Sequence, residues 1–565
     1  MKKLSLVFVF LLLMANRQWA AAQEQEEKKE APQKDVDLKS EPEQKEAPLP
    51  KISLPEFVIT GNEKIDLNIK PKQEKEEERI FVPDGPTPGS RLMEIEGVLF
   101  PKQIKQFAQA PSALNGKLSA GYGFYQTPQF DGWFGQYDKT NSFILNGYYS
   151  SSEGHLDNVN AGGWKGGAAA RARYVMPESS FVLPYMQLSG DFRYGRESYY
   201  AYGSANPTEI KDISLFDLSL GVGSRYALPY KSLSGFDYTG TAGLRSFSFS
   251  SASASETEFS LGGVATTRFF NIALRGQIEY RTTDYTMNIP TNLGQWFAIK
   301  GEAQTLIFPS MQMTIALQQF FYRGSSGAGS GRLYPQLELR YFLTEDATMS
   351  AGFSPTVERN TLESISRQNK YVDDSVSLRH TDLPVVAFAG MEVTPFTELT
   401  ISAKFSYKHT NNYPTFLDTT GAKVWEVQYL SNVRSTKVDV SMVYRLNEQQ
   451  NITAYFSSQD VKQKDASTVL PNIPAYSFGA VYHHFFDVGL HLEGLAEYVA
   501  PRYSNVANTR KNAGYLFTSV KGEMELFEQF RGFAEIQNLL NQKYYIWDGY
   551  QERTIYLLLG VSYQW

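Results

Sequence analysis

The chain has 565 residues, of which 42% are hydrophobic and only 20% charged, and its formal net charge is -6. Aromatics reach 14%, with 35 Tyr and 37 Phe beside 43 Gly, a mixture suited to many half-exposed strands and foreign to a soluble helical enzyme. The absence of cysteine excludes a disulfide framework, a thiolate metal site and a Cys nucleophile, and the acidic balance leaves no footprint for a nucleic-acid partner.

Residues 1–22 read as a cleaved secretory signal. Lys2 and Lys3 give the positive start, and Leu4 to Ala15 give an apolar core too short to span a bilayer as a helix. Ala20-Ala21-Ala22 supplies the small residues for cleavage near Ala22. Residues 23–110 are expected to form a largely disordered arm. As far as about residue 50 it is Glu, Lys, Gln and Pro, with almost nothing to bury, so its charge run reads as a spacer. "LPEFVITGNEKIDLNI" (54–69) interrupts it with a short β-prone core, Phe57-Val58-Ile59-Thr60. After another charged stretch, "RLMEIEGVLFPKQIKQF" (91–107) has the weak amphipathic pattern of a short helix. No window beyond residue 22 approaches 18 consecutive apolar residues, the mark of a membrane-spanning helix.

From residue 111 to the end the texture is uniform, with the first strand expected near Leu114. Short runs alternate with period two, the repeat of a strand whose faces meet different surroundings. In "LTISAKFSYKH" (399–409), Leu399, Ile401, Ala403, Phe405 and Tyr407 oppose Thr400, Ser402, Lys404, Ser406 and Lys408. In "KVDVSMVYR" (437–445), Val438, Val440, Met442 and Tyr444 oppose Lys437, Asp439, Ser441 and Arg445, with Val443 the exception. "RLYPQLELRY" (332–341) and "LFTSVKGEMEL" (516–526) repeat the pattern, although Pro335 cannot donate to a ladder.

Alternation of this kind suits a β-sandwich or a membrane barrel. Three features favour an all-β, closed antiparallel transmembrane β-barrel. Aromatics gather at strand ends, as interface girdles do. Connections alternate between short ones, such as "MPESS" and "FFDVG", and long ones, such as 357–381 and 461–473. The last strand, "TIYLLLGVSYQW", carries Ile555, Leu557, Leu559, Val561, Tyr563 and Trp565 on one face. Backbone in hydrocarbon must be fully paired, so the sheet must close, and termini on one side require an even strand number. The span holds about 22 strands, within a range of about 18–22, of about 9–12 residues each.

No catalytic, cofactor or metal site is predicted. The six histidines, His155, His380, His409, His483, His484 and His491, lack metal-helix spacing, and adjacent His483 and His484 point to opposite faces. No Gly-x-Ser-x-Gly elbow occurs on a strand-to-helix turn. "GSSGAGSG" (324–331) lacks the Lys of a phosphate loop and reads as a flexible loop. Asp373-Asp374 is expected in a solvated acidic loop. Lys404, Lys408, Asp439, Arg445, Arg340, Glu338, Lys521, Glu523, Arg275 and Glu279 should line the lumen, a mixture of signs that implies no strong ion selectivity.

Two stretches carry a family resemblance. In "EIQNLLNQKYYIWDGYQERTIYLLLGVSYQW" (535–565), Asn538, Leu539, Lys543, Tyr544, Gly549, Tyr550, Arg553 and Trp565 resemble the closing hairpin of TonB-dependent outer-membrane receptors. "EFVITGNE" (56–63) resembles that family's energy-coupling box, at Glu56, Phe57, Val58, Ile59, Thr60 and Gly61. The family's globular plug has no counterpart, because only about 50 residues separate Gly61 from Leu114 and much of that is Lys/Glu-rich. The chain thus looks like a plugless relative. The resemblance implies a bacterial outer-membrane barrel for solute transport, in contact with lipid and with a TonB-like periplasmic protein. It also implies that Val561, Tyr563 and Trp565 form the signal read by the barrel-assembly machinery. The alternative is an anchor that recruits an envelope complex through its arm.

Overall fold

The computed structural model describes residues 116–565 apart from 138–140, 178–185, 225–235, 250–253, 288–292, 324–328, 374–375, 465 and 467. The expected signal, the arm, its segment Glu56 to Gly61 and the stretch 91–107 lie outside the described residues. Each strand pairs antiparallel with its neighbour in sequence, and the first strand (Gly116–Gly123) pairs with the last (Tyr556–Gln564) from Lys117–Gln564 to Gly123–Leu558. The sheet has no free edge, as a sheet in hydrocarbon requires. The wall has 22 staves when Ala347–Phe353 and Thr356–Glu358, which both pair with Thr381–Phe396, are taken as one interrupted stave.

The two faces fall as the alternation predicts. Leu118, Leu220, Leu559 and Val561 are 57%, 61%, 54% and 51% exposed on the outer surface, where a water-soluble barrel would carry polar groups. Directly opposed residues of an antiparallel pair share a face. Phe405 therefore stands beside Val438 on the outside, while Lys404 stands beside Asp439 within. Pro335 is tolerated because the ladder with the following stave ends at Leu337–Phe353, short of it, and the Gln336 side chain donates instead to the Pro355 carbonyl at 3.0 Å.

The two rims differ. Both termini of the barrel lie on one rim, together with tight turns such as 270–271, 309–310, 345–346 and 528–529. Two connections on this rim are longer, between Val175 and Met186 and between Ser224 and Asp237, so "MPESS" is only part of its connection. Gly329 to Gly331, expected in a flexible loop, open the strand Gly329–Thr344. The opposite rim carries most of the long connections, which hold small hairpins, Tyr413–Leu417 with Glu426–Leu430 and Tyr545–Trp547 with Tyr550–Gln551, and a helix, α1 (Leu362–Gln368).

Candidate functional site

The connection that holds α1 was expected to be a solvated loop, and the structure corrects this. Leu362 and Ile365 are fully buried, and Tyr371, Val372, Val376 and Leu378 nearly so. Thr361 caps the helix, accepting from the Ser364 amide at 3.1 Å while the Ser364 hydroxyl receives the Thr361 amide at 2.8 Å. Asn360 closes the base of the connection by donating to the Arg379 carbonyl and the Thr381 hydroxyl, at 2.7 and 2.8 Å.

Residues Arg359 to Asp373 form a strap that leaves the stave ending at Glu358 and fastens to distant parts of the wall. The Glu256 carboxylate, on the strand Ala254–Phe269, accepts from the Leu362 and Glu363 amides at 2.7 and 3.2 Å. These are donors that the start of a helix leaves unpaired. Glu363 pairs with Arg245 on the strand Asp237–Phe249, and Arg359 pairs with Glu258, which also holds Arg281. Further along, the Tyr199 hydroxyl donates to the Lys370 carbonyl, and Lys211 donates to the Val372 carbonyl at 3.4 Å. Tyr199 belongs to the strand Met186–Tyr200, and seven staves lie between it and the one from which the strap departs. A segment fixed at both places runs as a chord across the bore.

Aromatic packing seals the strap against the other loops. Tyr371 stacks on Tyr550 with ring centroids 3.6 Å apart, and its edge meets Tyr199 and Tyr202. Trp425 packs on Tyr550 and Trp547, and the Asp373 amide donates to the Trp425 carbonyl at 2.8 Å. These rings join Phe247, Phe249, Leu362 and Ile365 in one apolar cluster over the mouth. Burial raises the pKa of Tyr371 and Tyr202 well above the usual phenol range, so both stay neutral hydroxyls. Beside the cluster, burial and the Arg359 charge lower the His380 imidazole to about 3, and neither ring nitrogen has a partner.

The family-like residues near the C-terminus acquire physical roles here. Asn538, in the left-handed region at φ 49, ties the last long loop by donating to the carbonyls of Gln542 and Arg553 at 2.8 and 3.1 Å. Gly549, at φ 91, makes the tight turn that presents Tyr550 to Tyr371. Trp565 exchanges backbone hydrogen bonds with Gly116 at 3.2 and 3.3 Å and stacks on Tyr563, while Val561 faces outward.

The inner wall below the strap carries both signs of charge. Arg193, Asp217, Arg245 and Glu258 oppose one another in a single lateral row across four strands. Arg193 and Arg340 keep 60% and 48% of their side chains exposed. Lys404 lies 5.5 Å from the Phe388 ring centre, and Lys437 pairs with Asp439 at 2.9 Å. His483 lies 3.4 Å from His491 and His484 stacks on Phe486, so the adjacent pair does part to opposite sides. Among the described residues no group of three or more His, Asp or Glu is placed to hold a metal.

The strap left one trace in the sequence that the strand pattern overrode. Thr361 stands at N-cap spacing from Ser364, with Leu362 and Ile365 three apart, the signature of a short capped helix. Nothing local marks Glu256, Glu258 or Arg245, which are distant in sequence and look like any other lumen charge.

No protein-family model and no curated protein matches the chain. Solved structures match its fold. The FrpB iron transporter from Neisseria meningitidis aligns at 11% identity over 81% of this chain and 82% of its own, with a TM-score of 0.61. The ferric-catecholate import receptor Fiu from Escherichia coli K12 aligns at 11% identity over 80% and 82%, with a TM-score of 0.59. The ferric enterobactin receptor from Pseudomonas aeruginosa, in complex with enterobactin, aligns at 11% identity over 81% and 82%, with a TM-score of 0.61. At such identity the likeness is one of fold.

Proposed function

We propose that this chain is an outer-membrane barrel of the TonB-dependent receptor type that carries a solute through its lumen. One observation carries the reading: a closed wall of 22 staves exposes apolar side chains outside and charged side chains of both signs inside. A barrel that wide encloses more volume than its wall side chains fill. The iron transport and ferric-catecholate import named for the similar structures support a solute of that kind. The rim with the termini would face the periplasm and the strapped mouth the exterior. Residues 1–22 would be the cleaved signal, and Glu56 to Gly61, within the arm 23–110, would meet a TonB-like protein. Lipid contacts the outer belt, and the assembly machinery reads Val561, Tyr563 and Trp565. The reading includes no catalytic step.

The strap favours one rival, a sealed anchor that recruits an envelope complex through the arm. Conductance in planar bilayers separates the two. Stepwise openings are expected from a conduit; a barrel that stays closed at every voltage, and after any change to the strap, is an anchor.

A further inference from the structure

We infer that the strap Arg359 to Asp373 is a built-in gate, and that Glu256 with Arg245 is its latch on the wall. This rests on the transport reading. The strap crosses the bore, so its position sets whether the mouth is open. It is attached covalently at one side of the wall and by hydrogen bonds and ion pairs at the other, the arrangement of a hinged segment.

The wall suits both positions of the strap. With the strap down, Glu256 satisfies the two leading amides of α1, and Glu363 and Arg359 pair with Arg245 and Glu258. With the strap up, Arg245 still faces Asp217 and Glu258 across the strands, and Glu258 keeps Arg281. Arg245 and Glu258 are not stranded by release, because each has an opposite charge beside it in the sheet, whereas Glu256 stands between Phe247 and Tyr285. Leu362 and Ile365 lose their cover when the strap lifts, which biases the equilibrium to the closed form. The latch is polar and exchangeable; the bias is apolar. Glu256 is the sole member of the latch whose partners all leave with the strap. It is therefore the residue whose loss should open the gate while the lateral row of charges stays intact.

The test uses the full mature chain in planar bilayers, with heat-modifiable mobility to confirm a folded barrel. The natural protein should open rarely. E256A should raise the open fraction about ten-fold or more, since both charge-assisted bonds from the wall to the leading amides of α1 are lost together while the lateral row stays intact. The chain has no cysteine, so Arg245→Cys with Glu363→Cys gives one unique pair. A short bis-methanethiosulfonate crosslinker, which forms a disulfide with each thiol as methanesulfinate leaves, should hold the pore shut, and reduction should release it. If the natural protein conducts and neither the latch variant nor the crosslink changes its open fraction, the gate is wrong while transport stands. If the natural protein, the latch variant and the reduced pair all stay sealed, both readings fall.

Discussion

Gly116 and Trp565 meet so closely that a β-carbon on Gly116 would lie 2.3 Å from the indole of Trp565. The two residues also exchange backbone hydrogen bonds, and so form the last rung of the seam that closes the barrel. The ring covers a position that only a glycine leaves free, and it stacks between Tyr563 and Phe134 at the rim.

Gly116→Val should therefore strain the seam by about 1–3 kcal/mol, the usual range for overpacking. Trp565→Ser should lower the yield of inserted barrel by removing the same contact from the other side. Combining Gly116→Val with Trp565→Ala should recover part of the stability, because the clash goes with the ring. Urea refolding titrations in detergent give the first and third quantities, and the heat-modifiable membrane fraction gives the second. Equal stability of Gly116→Val and the natural protein would show that the seam relaxes freely.

The faces can be tested with neighbours in one strand. Val440 belongs to the outer set and opposes Ala403, while Ser441 belongs to the inner set and opposes Ser402. Val440→Arg should cost about 2–4 kcal/mol if it lies near the bilayer midplane, whereas Ser441→Arg keeps its charge in the hydrated lumen. Refolding into vesicles followed by urea titration measures both. A larger loss for Ser441→Arg would mean that the faces are reversed, and equal losses would mean that they do not differ in hydration.

Acid should loosen the seam between loops and wall at His380. The imidazole sits edge-on between Trp296 and Tyr322 and is held neutral, with its pKa lowered from 6.5 to about 3 by burial and by Arg359. Below the unfolded value the unfolded chain takes up a proton that the folded chain refuses, so stability falls as pH drops from 6.5 towards about 3. Near pH 4.5 the loss is about 2 kcal/mol relative to neutrality. His380→Phe should remove this part of the acid sensitivity and be tolerated at neutral pH, because neither ring nitrogen has a partner to lose. Denaturation midpoints at the two pH values, compared between the natural protein and the variant, decide it.

The arm segment Glu56 to Gly61 is proposed to bind its periplasmic partner by adding a strand to an exposed sheet edge. Val58→Pro removes an amide and should abolish capture of the partner while leaving heat-modifiable mobility unchanged. A photocrosslinker at Phe57 should then trap a periplasmic protein. Crosslinks confined to barrel residues would place the segment in the lumen and end the coupling idea.

The sequence by itself determined the wall. Period-two alternation depends only on which face each side chain takes, and Phe405, Val438, Lys404 and Asp439 carry that information locally. The strand number follows from length and turn spacing, and closure follows from the need to pair every backbone group in hydrocarbon. The closing hairpin was legible only by resemblance, through Asn538, Gly549 and Trp565, which are similar to the C-terminal residues of TonB-dependent receptors. The strap is different. Its helix has only a short cap signature, and its partners, Glu256 and Arg245, lie more than a hundred residues away along the chain. Their meeting depends on the circumference of the barrel, which brings the strands Asp237–Phe249 and Ala254–Phe269 to where the chord from Glu358 lands. A local pattern sets which way a side chain points; only the closed tertiary structure sets what stands across the bore from it.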